Sequence, residues 1–368
     1  MKPVNTLILG ASYGSLLGCK LALAGHPVTL VCTAPTAELI NQSGIVVQFP
    51  VRGLEQPVRV RSSGFTNNMA GKVTAATPDE VNVDDYDLVV LGMQEPQYRN
   101  ASVRALMQKI ARAKKPCVAI MNMPPLPYMR RLPGVDADSL TSCYADPSVW
   151  DNFEPGLVTL ASPDPQAFRP PDAEKNVLQV SLPTNFKVAR FESDQHTDML
   201  RRIESDIQAI RFPHETGEIE LPVKVKTHDS LYVPLAKWSM LMTGNYRCVQ
   251  KDGMISIRDA VHTNLEQSKA ICDWTSALCE SLGADSGDLV PFEKYANAAK
   301  GLSQPSSGAK ALDRGSEAIE RVEKLIKLLA DQKGHSNPAV DEIVNTVQWY
   351  LDMNAEAGNQ KLSAGGRG

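Results

Sequence analysis

The sequence of 368 residues predicts an α/β fold, in which a domain with a parallel sheet precedes an all-helical domain. Near the N-terminus, short apolar runs alternate with a glycine turn and a helical pattern, as in β-α-β units. In the second half, apolar residues recur at spacings of three and four, the period of amphipathic helices. The length also exceeds that of one ordinary core. We therefore expect a first domain at residues 1–215, a second at 216–357, and a disordered tail at 358–368.

Composition limits the kinds of partner. The net charge of -4 and the pI of about 5.9 predict no basic surface for nucleic acid. No apolar run reaches the roughly 20 residues of a membrane span, and the N-terminus lacks the pattern of a cleavable signal. The cysteines are scattered without a CxxC pair or a metal-ligand cluster. We therefore expect a cytoplasmic protein with reduced thiols, no metal, and neither a nucleic-acid nor a membrane partner.

The first β-α-β unit contains the main candidate ligand site of the N-terminal domain. A strand at residues 5–9 (NTLIL) leads through a glycine turn into a helix at 16–24, and a second strand follows at 28–32. Glycines at such a turn let backbone amides approach a pyrophosphate at the helix N-terminus. The unit is therefore expected to be of Rossmann type, and six residues of the turn are candidate cofactor-binding residues: Gly10, Ala11, Ser12, Tyr13, Gly14 and Ser15.

The turn differs from the GxGxxG pattern of dinucleotide-binding proteins. Aligned on Gly10 it is one residue short, with Ser12 at the second glycine; aligned on Gly14, apolar residues occupy the first two glycine positions. Glycine turns also open helices that bind no ligand. The second strand ends in residues 32–34 (CTA), which include neither the acid that binds a ribose 2′-hydroxyl nor an arginine for a 2′-phosphate. The residues therefore do not choose between NAD and NADP.

Two polar residues follow the ends of later strands. Buried strands are predicted at residues 87–93 and 117–121, and Gln94 and Asn122 come directly after them. Ligands of open parallel sheets bind beyond the carboxyl ends of the strands, so both residues are candidates for cofactor binding. Each could instead bind only loop backbone, and for Gln94 this is the preferred interpretation.

The remaining elements follow in order. Residues 156–191 predict antiparallel strands that extend the same sheet, and 196–212 predict a helix. Residues 213–222 (PHETGEIELP) predict the linker between the domains. Beyond it, helices are predicted at 228–247, 256–282, 291–300, 313–329 and 338–353.

The helix predicted at 228–247 carries two polar residues in an apolar surrounding. Lys237 lies in its middle and Asn245 follows eight residues later, which leaves their side chains roughly 80° apart around an α-helix. Both can therefore face one broad cleft. The alternative is that Lys237 lies at the rim of the domain with its ammonium in solvent.

The order of these parts resembles that of the ketopantoate reductase family. The resemblance rests on LILGASYGSLLGCKLALAGHPVTLV, AIMNMP, PLAKWSMLMTGN and PSSGAKALDRGSEAIE, and in architecture it spans nearly the whole chain. It implies that Lys237 is the catalytic lysine, that Asn245 and Ser307 bind the substrate, and that the asparagine after the strand at 117–121 lies near the nicotinamide. It also implies that Glu317 is the acidic partner of the lysine, although its spacing from the serine leaves Glu320 as an alternative.

In function, the resemblance implies NAD(P)H-dependent reduction of a small-molecule 2-keto acid, with the lysine as general acid. NADP(H) is favoured over NAD(H) by the resemblance alone. The long apolar faces of the helical domain suggest a homodimer, although helix packing within one chain explains them almost as well. The chain also departs from the family. Leu241 replaces a second asparagine of the lysine helix, Met123 replaces a glycine, and Gln94 lies where the family places a basic residue for the NADP phosphate.

Two other functions agree with the same residues. The first is a related dehydrogenase that acts on another hydroxy or keto acid, or on an amino-acid adduct. The second is a non-catalytic dinucleotide-binding or scaffold protein of the same fold, which the altered glycine turn favours and the retained Lys237 and Asn245 oppose. Binding of NADH or NADPH would separate the enzymes from a scaffold that binds neither.

Overall fold

The computed structural model describes residues 2–65 and 71–365, and the chain divides into two compact units. Unit 1 comprises residues 1–93, 97–131 and 148–234, and unit 2 comprises 94–96, 132–147 and 235–368. The boundary therefore falls later than the predicted one after residue 215.

The later boundary has a structural cause. The strand Val225–His228 pairs in parallel with Phe186–Ala189 and completes the sheet of unit 1. The stretch predicted as a linker at 213–222 instead belongs to unit 1 and takes part in a hairpin of Phe212–His214 with Gly217–Ile219.

Unit 1 is the α/β part of the chain. Its helices are α1 (Gly14–Leu23), α2 (Ala34–Ser43), α3 (Ala101–Arg112), α4 (Leu126–Met129) and α5 (Asp194–Gln208). Its strands are β1 (Thr6–Leu9), β2 (Val28–Val31), β3 (Val46–Phe49), β4 (Val58–Arg61), β5 (Val73–Ala76), β6 (Leu88–Leu91), β7 (Cys117–Ile120), β8 (Val158–Ser162), β9 (Gln166–Phe168), β10 (Val177–Leu182), β11 (Phe186–Ala189), β12 (Phe212–His214), β13 (Gly217–Ile219) and β14 (Val225–His228).

The main sheet of unit 1 has eight strands in the order β14-β11-β8-β7-β6-β1-β2-β5. All neighbours are parallel except β8 and β11. The predicted extension of this sheet is therefore correct for β8 and β11. It is wrong for β9 and β10, which join β3 and β4 in a separate four-stranded sheet, where Leu178 and Val180 of β10 reach the apolar core.

The core of unit 1 explains why its strands are almost continuously apolar. All four residues of β1 and of β6 are buried, as expected for parallel strands that are covered on both faces. Helix α1 lies against β1 and β2 here, since a Cβ at Gly18 would be in ordinary van der Waals contact with Val28 Cγ1 at 3.4 Å and Ile8 Cδ1 at 3.5 Å. Helix α5 buries Leu200, Ile203 and Ile207 in the same core.

Unit 2 is mainly helical in its described residues. Its helices are α6 (Lys237–Met240), α7 (Ile257–His262), α8 (Leu265–Leu282), α9 (Phe292–Ala299), α10 (Ser307–Asp313), α11 (Val322–Gln332) and α12 (Pro338–Gly365), and the short strands β15 (Val249–Gln250) and β16 (Gly253–Met254) form a hairpin.

Several predicted helices of unit 2 are divided or shifted. The stretch predicted as one helix at 256–282 forms α7 and α8, because Asn264 starts a new helix by accepting a hydrogen bond from the Gln267 amide at 3.0 Å. The helix predicted at 313–329 begins only at Val322, after a non-helical segment.

Helix α12 continues to Gly365, so the tail predicted to be disordered from residue 358 is helical up to that residue. The sequence there includes Gln, Lys, Leu and Ala, which are good helix formers. Residues 366–368 lie outside the described part of the chain. Within that part, every helix is too short or too polar to cross a membrane.

Candidate functional site

The glycine turn after β1 depends on the conformation of Gly10. Its φ is +105°, a region that L side chains rarely adopt. A Cβ at this position would also lie 2.7 Å from Met93 Cγ and 3.0 Å from the carbonyl oxygen of Gly92. Gly10 therefore provides the tight turn that the first glycine of a dinucleotide-binding motif provides.

Gly14 has the role of the third glycine of such a motif. It is the first residue of α1, and a Cβ there would lie 2.6 Å from Ile8 Cγ2 of β1. Only glycine allows this close packing of helix on strand. Gly10 and Gly14 thus correspond to the first and third glycines of GxGxxG, with one residue fewer between them than in that motif. The exposed Ser12 lies at the position of the second glycine.

Two side chains of the turn form hydrogen bonds within unit 1, and a third is exposed to solvent. The Tyr13 hydroxyl donates to the carbonyl oxygen of Pro165 at 2.6 Å, and its ring meets Phe186 edge-on at 5.9 Å. Burial raises the pKa of Tyr13. The Ser15 hydroxyl donates to the carbonyl oxygen of Ala11. These residues can therefore offer a ligand mainly their backbone amides, at the positive end of the α1 dipole, whereas Ser12 also has an exposed side chain.

The ends of the other strands place the remaining cofactor candidates. Asn122 follows β7 and is partly buried between the buried Met121 and Met123. Gln94 is exposed and belongs to the short segment 94–96 of unit 2. After β2, the hydroxyls of Thr33 and Thr36 bond to each other at 3.1 Å where α2 begins.

The lysine segment of unit 2 is not a regular helix. A 3-10 turn at Val233–Ala236 is followed by α6, which begins at Lys237, and then by a π turn at Leu241–Asn245. The Tyr246 amide donates to the carbonyl oxygen of Leu241, five residues earlier, at 2.9 Å. A π turn needs more residues per revolution than an α turn. Idealised helix geometry therefore predicts an angle between Lys237 and Asn245 that is smaller than the roughly 80° of regular α-helical spacing.

The serines that precede Glu317 lie beside the end of this segment. The Ser306 hydroxyl donates to the carbonyl oxygen of Asn245 at 2.8 Å and accepts from the Ala309 amide at 3.1 Å, which makes it the N-cap of α10. Ser307 is the first residue of α10 and is exposed. The structure therefore places the backbone of Asn245 beside Ser306, the residue that precedes Ser307.

The two candidate carboxylates have opposite environments. Glu317 is exposed and lies against Gly358 of α12. Glu320 is 7% exposed, and its Oε1 accepts a hydrogen bond from the Glu95 amide at 3.4 Å. The carbonyl oxygen of Glu320 accepts from the Tyr246 hydroxyl at 2.6 Å. The structure therefore places the backbone of Glu320 beside Tyr246, the residue that follows Asn245.

Two buried residues that contact Glu320, namely Glu95 and Tyr246, were not predicted from the sequence. Glu95 is 2% exposed, and its carboxylate oxygens accept from the Ala145 amide at 3.2 and 3.1 Å. The Tyr246 hydroxyl also accepts from the Val322 amide at 3.1 Å, and burial raises the pKa of this tyrosine. Both residues form hydrogen bonds with residues that are distant in the sequence, so neither periodicity nor motif spacing predicts these contacts.

The described residues contain no group of three or more His, Cys, Asp or Glu side chains that could hold a metal ion. All seven cysteines are free, and every one except Cys32 is buried.

The chain is similar to one known family and to several solved structures. Residues 6–122 match the ketopantoate reductase PanE/ApbA family. No curated protein matches the chain.

Three solved structures cover nearly the whole chain at low identity. D-mandelate dehydrogenase with NADH and anilino(oxo)acetate is 12% identical, with a TM-score of 0.60 over 95% of this chain and 99% of that one. The 2-dehydropantoate 2-reductase of Methylococcus capsulatus is 12% identical, with a TM-score of 0.66 over 95% and 98%. The dimeric ketopantoate reductase of Staphylococcus aureus is 9% identical, with a TM-score of 0.59 over 95% and 100%. These likenesses show a common fold.

Proposed function

We propose that this chain, whose residues 6–122 match the ketopantoate reductase PanE/ApbA family, reduces a 2-keto acid with NAD(P)H. In this proposal it is an NAD(P)-dependent oxidoreductase. The observation that carries the more specific proposal is the arrangement inside unit 2. The segment with Lys237 and Asn245 bonds through the neighbouring Tyr246 to the backbone of the buried Glu320.

The glycine turn fits a dinucleotide. Gly10 and Gly14 add no side chain to the turn, and the amides of Ser15 and Leu16 already donate to the carbonyl oxygens of Ser12 and Tyr13 at 3.3 and 3.1 Å. The earlier amides, from Ala11 to Gly14, with the exposed Ser12 hydroxyl, would hold the pyrophosphate. Asn122 and Gln94 are further proposed contacts. When bound, the reduced nicotinamide supplies a hydride to the carbonyl carbon of the substrate.

We favour NADP(H) over NAD(H) as the cofactor. In NAD-dependent proteins of this fold, a carboxylate after the second strand binds the ribose 2′-hydroxyl and would repel a 2′-phosphate. Here Cys32 and Thr33 follow β2, and the hydroxyl pair of Thr33 and Thr36 lies at the start of α2. Hydroxyls and helix amides are acceptable donors to a phosphate.

Lys237 is proposed as the general acid. Its ammonium donates a proton to the carbonyl oxygen of the substrate as negative charge develops there. Glu320 is proposed as the acidic partner that favours the protonated lysine, since a nearby opposite charge stabilises an ammonium. Glu317 has the weaker claim because it is exposed. The Asn245 amide and the Ser307 hydroxyl are proposed to bind and orient the keto acid.

A second candidate function is oxidation or reduction of a different 2-hydroxy or 2-keto acid. It is favoured by the similarity of the whole fold to D-mandelate dehydrogenase. The same lysine would then remove or donate the proton on the hydroxyl oxygen. A substrate panel of 2-keto acids and 2-hydroxy acids, followed by the absorbance of the reduced nicotinamide, separates the two.

Replacement of Lys237 tests the mechanism. We expect Lys237→Ala to lower kcat by roughly 10²–10⁴-fold, the usual contribution of a general acid, with little change in the Kd of the cofactor. Lys294→Ala is the matched control, because Lys294 is an exposed lysine on α9 of the same unit. Turnover of every accepted acid at the wild-type rate by Lys237→Ala would exclude the lysine as the acid.

Two further properties are proposed from indirect support. We propose a homodimer, since one structure of the same fold is a dimeric ketopantoate reductase. We propose a cytosolic setting, since seven free cysteines are typical of a reducing compartment. Light scattering on the purified protein measures its molar mass in solution and so tests the proposed homodimer.

A further inference from the structure

The π turn Leu241–Asn245 is the least regular part of the lysine segment, and Asn245 is its last residue. In an α-helix each carbonyl accepts from the amide four residues later, but a π turn shifts this bond to the fifth residue. In such a turn, some carbonyl oxygens lose the amide donor that they would have in an α-helix. The turn is therefore stable only where other groups donate hydrogen bonds to it.

Arg247 supplies such a group. Its Nη1 donates to the carbonyl oxygen of Thr243 at 3.3 Å and to the Ser268 hydroxyl at 2.6 Å. Its Nη2 donates to Gln267 Oε1 at 3.0 Å. The partners Gln267 and Ser268 are on α8, and Ser268 is fully buried. The planar guanidinium therefore joins the π turn to α8 through one bond to the turn and two bonds to α8, a geometry that a lysine cannot reproduce.

Two neighbours fit the same irregular backbone. The Thr243 hydroxyl donates to the carbonyl oxygen of Ser239 at 2.6 Å, a bond from a side chain to the backbone four residues earlier that bends helices. Gly244 faces α7 and α9, where a Cβ would lie 3.0 Å from Ile257 Cγ2 and would collide with the Tyr295 hydroxyl. The π turn is therefore specified by several side chains of unit 2.

We propose that Arg247 is a positioning residue that holds the π turn and thereby turns the Asn245 side chain toward the face of Lys237. This inference rests on the proposed reduction of a 2-keto acid. In a regular α-helix, Asn245 would lie roughly 80° from Lys237 around the axis. A hydrogen bond weakens steeply when its angle is lost. Arg247 thus sets the affinity for the keto acid through Asn245, without touching the substrate itself.

Kinetics of Arg247→Met test the proposal. We expect the KM for the keto acid to rise about tenfold or more, while kcat changes less and the cofactor Kd is unchanged. Free guanidinium ion should restore part of the lost affinity. If Arg247 acts through Asn245, the double variant with Asn245→Ala should be no worse than Asn245→Ala alone. Arg258→Met is the matched control, since Arg258 is an exposed arginine on α7 that bonds to the adjacent Asp259.

A second variant and a structural measurement complete the test. Thr243→Val removes the bond to the Ser239 carbonyl with little change in shape, and we expect a smaller rise in the same KM. Crystal structures of both variants should show the Tyr246 amide moved from the Leu241 carbonyl to the next one. An unchanged KM, additive effects of the two single variants, or an intact π turn in Arg247→Met would overturn the inference and leave the reductase assignment standing. If the wild-type protein turns over no 2-keto acid, the proposed function fails first and the inference falls with it.

Discussion

At the scale of single residues, the two carboxylates after α10 are distinguished by their surroundings. Glu317 is exposed, whereas Glu320 is buried and accepts from the Glu95 amide. A negative charge near an ammonium stabilises its protonated form, so its removal lowers the pKa of the lysine. We therefore expect Glu320→Gln to lower kcat/KM and to move its alkaline limit toward lower pH by about 1–3 units.

The matched variant for this prediction is Glu317→Gln, which removes the same charge three residues earlier. Its pH profile should overlay that of the wild-type protein, since an exposed carboxylate is screened by solvent. If Glu317→Gln moved the alkaline limit and Glu320→Gln left it in place, the acidic partner would be Glu317.

At the scale of elements, helix α1 has an unusual attachment to the rest of unit 1. Lys20 is 1% exposed, and its ammonium donates to the carbonyl oxygens of Leu221 at 3.0 Å and Pro222 at 3.2 Å. Burial lowers its pKa to about 8. In the unfolded chain a lysine keeps its proton up to a pH of about 10.4. Between these two values the unfolded state binds more protons than the native state, so the free energy of unfolding contributed by Lys20 rises with pH.

Denaturant titrations across this window test the effect. From about pH 8 to about pH 10, the free energy of unfolding of the wild-type protein should rise relative to that of Lys20→Met by up to about 3 kcal/mol. Lys109→Met, which replaces an exposed lysine of α3, is the control and should follow the wild-type curve. A constant difference between wild type and Lys20→Met over the whole window would contradict a Lys20 pKa that is lowered by burial.

At the scale of the whole molecule, the proposed dinucleotide site at the glycine turn can be tested through the stability of the protein. A ligand at 100 times its Kd stabilises the native state by about 2.7 kcal/mol. We expect NADPH to raise the thermal unfolding midpoint more than NADH does at equal concentration. Gly14→Ala should abolish this stabilisation, because the added Cβ would force α1 away from Ile8.

The control for the cofactor measurement is Gly287→Ala, where a Cβ meets nothing within 4 Å. It should keep the full response to NADPH. If neither NADPH nor NADH shifts the midpoint of the wild-type protein, the scaffold alternative gains support. If NADH gives the larger shift, the cofactor is NAD(H).

The sequence was informative where structure follows from neighbouring residues. The order strand, glycine turn, helix, strand around Gly10 is local, and β1, α1 and β2 lie close to their predicted positions. Prediction from the sequence failed where the pairing or packing partners of a segment are distant in the sequence. The sequence prediction assigned β14 to the helical domain, because nothing in the residues of this strand indicates that it pairs with β11. The helix predicted at 228–247 is instead a 3-10 turn, a short α-helix and a π turn, and Arg247 near its end bonds to the distant helix α8.

The sequence by itself determined the two-part architecture and the candidate residues Lys237, Asn245 and Asn122, because apolar period and motif order are properties of the chain. Only the tertiary structure decided that Glu320 is buried and Glu317 exposed, and that Gly10 and Gly14 share the roles of a longer motif. The physical reason is that burial, close packing and hydrogen-bond partners depend on which distant segments come together.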